Sequence, residues 1–275
     1  MPATLSPLRY PGGKTQFYPK LVDIFTDNDI GQDYTYLEPF AGGSGVALRL
    51  LADKKVSKII LNDKDPAIFS FWNDVLNAAP LFIQKIEETP VTINEWNKQR
   101  KIYSGCKPSF ELGFAAFFLN RTNRSGIIFA DPIGGLDQSG NYKIDCRFNK
   151  KKLEEKINFI YAHRDQIDLD CLEACDFIEK RKGLSKSFWF IDPPYYKKGK
   201  QLYRNYYGED GHKNLSHSIM NNLFYEKWIL TYDVCDEIQY LYRGFQHIEI
   251  PINYTVETKR KEKELMFYNQ LFVEE

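Results

Sequence analysis

Tyr34–Asp63, YTYLEPFAGGSGVALRLLADKKVSKIILND, is the stretch that decides the fold. YTYLEP has strand character and runs into FAGGSG, where glycine permits backbone angles that other residues resist. VALRLLADK then carries apolar residues at helical spacing, and SKIILND is a short apolar run stopping on polar residues, as a strand does. PAIFSFWNDVLNA follows, with Pro66 suited to a first helical turn. Strand, helix, strand, helix predicts an α/β fold, a parallel sheet with helices on its faces. The pattern resumes near Leu169. LDCLEACDF reads as a strand, SFWFID (Ser187–Asp192) as one buried on both faces, and YEKWILTYD (Tyr225–Asp233) as another. FQHIEIPINYT and KELMFYNQLF read as a closing antiparallel pair.

Residues 81–168 have a different character. FELGFAAFFLNR is helical, and SGIIFADPIGGLDQSGNYKIDCRF places two β-prone runs around Gly134, Gly135 and Gly140, which predicts a hairpin or an extended loop. The organisation expected is a sheet domain from residues 1–80 and 169–275, with an inserted module at 81–168.

The chain has 275 residues, 43% of them hydrophobic, enough for one substantial core and a module. No apolar run reaches the roughly 18 residues that a membrane helix needs. MPATLSPLRYPGGK lacks the layout of a secretory signal, so a cytoplasmic protein is expected. The five cysteines are scattered and read as small buried hydrophobes, and no Cys or His set has the spacing of a metal site. Net charge is +0, with 37 basic and 37 acidic residues, yet RFNKKK, KRKG, KKGK and KRKEK are local basic runs. They form a phosphate-facing surface only where folding brings several to one side.

Two constellations carry chemistry. In EPFAGGSG the glycines join a strand to a helix whose first N–H groups are unpaired, and Asp63 follows about 20 residues later, placed for ribose hydroxyls. The pair indicates an adenosine-containing cofactor without choosing among NAD, FAD and S-adenosylmethionine. In SFWFIDPPYY, Asp192 stands at the carboxyl end of a strand. Pro193 and Pro194 fix φ and keep only carbonyl acceptors, and Tyr195 adds a flat ring. A carboxylate, a rigid carbonyl and a ring together suit an exocyclic NH₂ on a flat heterocycle, with the ring stacked on the base.

In their order along the chain, LRYPGGK (Leu8–Lys14), EPFAGGSG, LNDKD, CDF (Cys175–Phe177), DPPY, WILTYD and KELMFYN resemble the motifs of the Dam-like DNA adenine-N6 methyltransferases, over essentially the whole length. The resemblance implies a Rossmann-like seven-stranded sheet with one antiparallel strand and S-adenosylmethionine as cofactor. It implies cofactor contacts from Tyr10, Lys14, Phe40, Ala41, Gly42, Asp63, Asp176, Phe177 and Asp192, with a share of the ribose contact for Asp65. It implies catalysis by Asp192, Pro193, Pro194 and Tyr195 on an adenine turned out of double-stranded DNA. The inserted module is then a target-recognition domain with a β-hairpin. Arg121, Asn123, Arg124, Gln138, Tyr142 and Arg147 are its candidates for DNA contact, joined by Lys197 and Lys198 after the catalytic motif. A cognate restriction endonuclease is the expected functional partner, with no metal and no membrane. The alternatives are the same fold acting on cytosine N4 or on RNA adenine, and an inactive DNA-binding relative.

Overall fold

The computed structural model describes residues 4–9, 13–105, 107–197, 207–254 and 260–274. In chain order the helices described are α1 (Tyr18–Asp27), α2 (Gly45–Ala52), α3 (Pro66–Asn77), α4 (Ala79–Glu88), α5 (Ile93–Tyr103), α6 (Phe110–Thr122), α7 (Lys150–Ala162), α8 (Ala174–Arg181), α9 (Glu209–Asn222) and α10 (Asp236–Leu241). The strands are β1 (Thr35–Glu38), β2 (Lys58–Asn62), β3 (Ile167–Asp170), β4 (Ser187–Ile191), β5 (Lys227–Asp233), β6 (Gln246–Tyr254) and β7 (Arg260–Asn269). The chain divides into two compact units, one holding Lys14–Lys64 and Gln166–Glu275, the other Pro2–Gly13 and Asp65–Asp165.

The first unit is built on a seven-stranded sheet of order β3-β2-β1-β4-β5-β7-β6. The pairs from β3 to β5 are parallel, and β7 runs antiparallel to both neighbours, β5 and β6. This is the mostly parallel sheet with one reversed strand that the sequence led us to expect. Alternation along the strands loads both faces. Leu37, Trp189, Ile191, Trp228 and Leu230 form a core with Phe177 and Ile178 of α8, Leu215 and Ile219 of α9 and Ile238 of α10. Tyr36, Phe188 and Phe190 point the other way, where Phe188 meets Phe25 of α1 edge-on at 4.7 Å and Phe190 meets Phe17 at 5.9 Å. The segment LDCLEACDF is only partly a strand: β3 ends at Asp170, and Ala174–Arg181 is helical. Of the cysteines described, Cys235 alone is buried, while Cys146 and Cys171 are exposed.

The second unit is helical around a phenylalanine core. Phe71 of α3 stacks on Phe117 of α6 at 5.8 Å, and both meet Phe82 of α4. Helix α3 therefore belongs here: the unit takes Asp65–Asp165 together with Pro2–Gly13, where the expected module was 81–168. Gly113 lets α6 lie directly on α3, since a Cβ there would stand 2.4 Å from Asp74 Oδ2 and 2.7 Å from Phe71 N. Side chains cap the starts of these helices: Asp65 accepts from Ala67 N–H, Thr92 from Glu95, Ser109 from Leu112 and Asn149 from Lys152.

The expected hairpin is absent. From Asn123 to Asn149 the backbone makes one isolated bridge, Asn123 with Pro132, and no ladder. Side chains take up the backbone groups that a ladder would have used. Gln138 donates to the carbonyls of Ile133 and Gly135 and accepts from Ile144 N–H. Left-handed backbone at Gly134, Gly135 and Gln138 turns the chain where strands would continue.

Candidate active site

The carboxyl ends of the parallel strands gather the reactive groups of the sheet unit, as open α/β sheets do. Strand β4, buried at every position, ends at Ile191 and delivers Asp192. Lys14, in a short 3₁₀ turn ahead of α1, places its ammonium 2.8 Å from Asp192 Oδ1 and 3.0 Å from Oδ2. Thr231 of β5 donates to Asp192 Oδ1 at 2.6 Å. The Lys14 ammonium also lies 3.3 Å from Glu264 of β7, a carboxylate only 1% exposed. Tyr195 donates its hydroxyl to Glu264 Oε1 at 2.9 Å, and its ring, 3% exposed, lies 5.5 Å from the Lys14 ammonium.

The turn after Asp192 is fixed by β5 as well. Asp233, two residues beyond Thr231 on the same strand, accepts from the backbone N–H groups of Tyr196 at 2.9 Å and Lys197 at 3.1 Å. Thr231 and Asp233 thus hold the two ends of Asp192–Lys197. His212 of α9 packs against Tyr196 and shares a 2.8 Å hydrogen bond with the hydroxyl of Tyr232. Burial holds this imidazole down to about 4, so it is neutral at physiological pH.

The glycine turn has the geometry expected of its sequence. Gly42 and Ser44 are left-handed, and α2 starts at Gly45. Asp63 at the end of β2 accepts from the Gly42 N–H at 2.9 Å, tying the acid to the turn. Glu38, at the end of β1, is buried and accepts from the hydroxyl of Tyr36. Burial pushes its carboxyl up to about 8, against the hydroxyls of Ser44 and Tyr36, which pull it down. Phe40 is half-buried, with Tyr207 edge-on at 5.7 Å, and the Lys64 ammonium stands 4.6 Å from the Tyr207 ring while pairing with Glu173.

The structure brings Lys14, Asp192 and Tyr195 into one cluster, and Gly42 with Asp63 into another. Pro193 is buried, Pro194 half-buried, and Ala41 is buried with its N–H on the carbonyl of Asn62. Phe177 is fully buried in the core against Trp189, while Asp176 is exposed in the first turn of α8. Asp65 caps α3, its Oδ1 accepting from the Ala67 N–H at 2.9 Å. Tyr10 and Lys198 lie outside the described residues.

In the second unit the DNA candidates divide. Asn123 is fully buried; it accepts from Trp96 Nε1 at 2.6 Å and donates to the carbonyls of Ile127 and Ile128. With Gln138 it is consumed in holding the loop, so neither amide is available to a base edge. Arg124 is exposed and pairs with Asp131 at 3.1 Å. Tyr142 is 71% exposed. Arg121 is half-buried and donates to the carbonyl of Arg147, which is itself exposed. Lys197, in the sheet unit, is exposed.

Sequence reading missed Glu264, Thr231 and Asp233. Each had a signal. Glu264 is a carboxylate abutting the apolar run LMF, and Asp233 ends a strand as Asp63 and Asp192 do.

Residues 10–256 match the family described as D12 class N6 adenine-specific DNA methyltransferase. A curated relative, Type II methyltransferase M.MjaIII of Methanocaldococcus jannaschii, is 23% identical over 209 residues, covering 68% of each chain. Solved structures that resemble the chain include the rRNA methyltransferase aviRa of Streptomyces viridochromogenes, 12% identical with a TM-score of 0.43, covering 94% of this chain and 86% of that one. Another is a precorrin 8W decarboxylase from Methanobacterium thermoautotrophicum, 12% identical with a TM-score of 0.36, covering 95% and 96%. The family match spans most of the chain and runs through both units, and the protein belongs to the D12 class of N6 adenine-specific DNA methyltransferases.

Proposed function

We propose that the protein transfers a methyl group from S-adenosylmethionine to N6 of an adenine turned out of duplex DNA. The observation that carries this reading is Asp192, a carboxylate at a strand end, gripped by Lys14 and Thr231. The sheet unit fits the cofactor through the left-handed Gly42 turn at the start of α2, Asp63 bonded to that turn, and half-buried Phe40 beside it. Lys14 and Asp192 complete the residues that would hold it. When bound, S-adenosylmethionine supplies a methyl group activated on a sulfonium.

The chain's own residues do the rest. Asp192 accepts one hydrogen of the adenine amine and the Pro193 carbonyl accepts the other, which orients the nitrogen lone pair. N6 gains positive charge as it is alkylated, so a fixed carboxylate beside it binds the transition state more tightly than the ground state. Thr231, Lys14 and Asp233 remove the freedom of Asp192 and its turn before the base arrives. Tyr195 stacks on the base. Because its ring is 3% exposed, the base must displace what covers it. Unstacking the adenine costs a few kcal/mol, which these contacts offset.

Arg124, Tyr142 and Lys197 are the residues we propose for DNA contact, all exposed. Among the described residues no helix is long and apolar enough to cross a membrane; we place the protein in the cytoplasm, with its DNA substrate. A restriction endonuclease reading the same site is the partner we propose, on the strength of the Type II relative.

The test is to incubate the protein with cofactor and unmethylated plasmid, then to digest the DNA and identify the modified nucleoside. N6-methyladenine is expected. N4-methylcytosine, or methylation of RNA alone, overturns the choice of acceptor. An Asp192→Ala variant that methylates at the normal rate overturns the assignment of the carboxylate.

A further inference from the structure

Four cations of the second unit lie close enough to repel one another. Arg9 comes from the N-terminal segment, Arg121 from the last turn of α6, Arg147 from the loop before α7, and Lys156 from α7 itself. None of the four takes part in any ion pair found among the described residues, although the chain as a whole has as many acids as bases. The side chains of Arg9, Arg121 and Lys156 meet backbone carbonyl oxygens instead. Lys156 Nζ donates to Ser6 at 2.9 Å, Arg121 Nη1 to Pro7 at 3.5 Å and Arg9 Nη1 to Asn123 at 3.4 Å, while Arg121 Nη2 donates to Arg147 itself. Arg121 Nε is buried with no hydrogen-bond partner.

Carbonyl dipoles reduce the self-repulsion of such a group but do not cancel its charge. The strain registers on the cations. Burial and the nearby Arg9 and Arg147 hold the Arg121 guanidinium down to about 10, and burial with Arg121 and Lys152 holds Lys156 down to about 8. An unpaired, partly desolvated cluster of this kind is complementary to an anion whose several oxygens can be shared.

We propose that Arg9, Arg121, Arg147 and Lys156 form a sequence-independent clamp for a phosphodiester of the DNA backbone. This assigns Arg121 and Arg147 to positioning the duplex and takes base reading away from them. Arg121 sits deepest and supplies field; Arg147 is exposed and its side chain is in no hydrogen bond or ion pair found here, so it makes the outermost contact. The inference rests on DNA as the substrate, which the family provides.

The experiment is the salt dependence of duplex binding by the full chain, for wild type, Arg147→Gln and Lys156→Gln. Glutamine can still donate to Ser6, which protects the fold of the second variant, and melting temperatures check both. Two labelled duplexes of unrelated sequence are used, with inorganic phosphate as a separate probe. On both duplexes, each variant is expected to lose about 0.9 from the slope of log K against log salt, the share of one phosphate contact. Unchanged slopes, or a loss confined to one duplex, overturn the proposal. So does inorganic phosphate that raises the melting temperature of wild type but of neither variant while the DNA slopes stay equal, because the cluster then serves a free anion. If wild type fails to bind either duplex, DNA binding itself is refuted and the clamp falls with it, an outcome distinct from slopes that do not change.

Discussion

Asp192 owes its position to residues far from it in sequence. Lys14 approaches from the N-terminal side and Thr231 from the neighbouring strand, so the carboxylate is set before any substrate arrives. Thr231→Val keeps the size of the side chain and deletes the hydroxyl that donates to Asp192. A hydrogen bond to a charged group is worth about 1.5–3 kcal/mol. We expect kcat to fall by about one to two orders of magnitude with little change in the affinity for cofactor, read from steady-state kinetics alongside a binding titration. Glu38 offers a pH test. Its folded-state carboxyl is raised to about 8, above the usual unfolded value of about 4.3, so the folded form retains a proton that the unfolded form releases. The stability linked to Glu38 is complete below the unfolded value and is lost as pH rises toward 8. Glu38→Gln should therefore flatten the decline in melting temperature between pH 5 and 8, and a variant whose profile parallels wild type would refute the raised carboxyl.

At the scale of elements, close approaches do the most to fix the architecture. Gly113 allows α6 to lie on α3, and Gly113→Ala drives a methyl into the backbone of Ser70 and Phe71. Overpacking of this kind costs about 1–3 kcal/mol, which should show as a lower urea midpoint. Gly42→Ala acts on the other unit. Its left-handed φ costs a side chain about 1–2 kcal/mol, and the expected result is weaker S-adenosylmethionine binding from a disturbed turn. Much of this level was legible in the sequence. The glycine turn, β1, β2, β4 and the reversed C-terminal pair follow from apolar runs punctuated by glycine and acid, whereas β3 was read too late in the chain. What was not legible depended on where side chains spend their hydrogen bonds. Asn123 and Gln138 look like base readers in a polar loop, yet both are consumed by backbone groups that a hairpin would have paired. Phe177 belongs to a motif associated with the cofactor, but helical phase after β3 turns it into the core. Thr231 and Asp233 lie on β5, beside β4, and Glu264 lies one strand further away on β7; their convergence on Asp192 and its turn is set by sheet order, which no local pattern reports.

For the whole molecule, two units with separate cores predict unfolding in more than one step. A ligand held by the sheet unit should raise the transition of that unit. At a hundred times its dissociation constant, S-adenosylmethionine adds about 2.7 kcal/mol to the state that binds it. Calorimetry is expected to resolve one transition that moves with the cofactor and one that does not. A single transition moving as a whole would show that the units melt together.

The pairing of Lys14 with Glu264 sets a schedule on synthesis. These groups stand 3.3 Å apart in space, yet 250 positions (264 − 14) separate them along the chain, so Lys14 leaves the ribosome long before Glu264. Strand β7 fits between β5 and β6, so every earlier strand must wait with an open edge on β5 until β7 arrives. An exposed strand edge is a template for misassembly. Nascent chains halted before β7 should therefore be both inactive and prone to aggregate, and chaperone demand should fall once β7 has emerged.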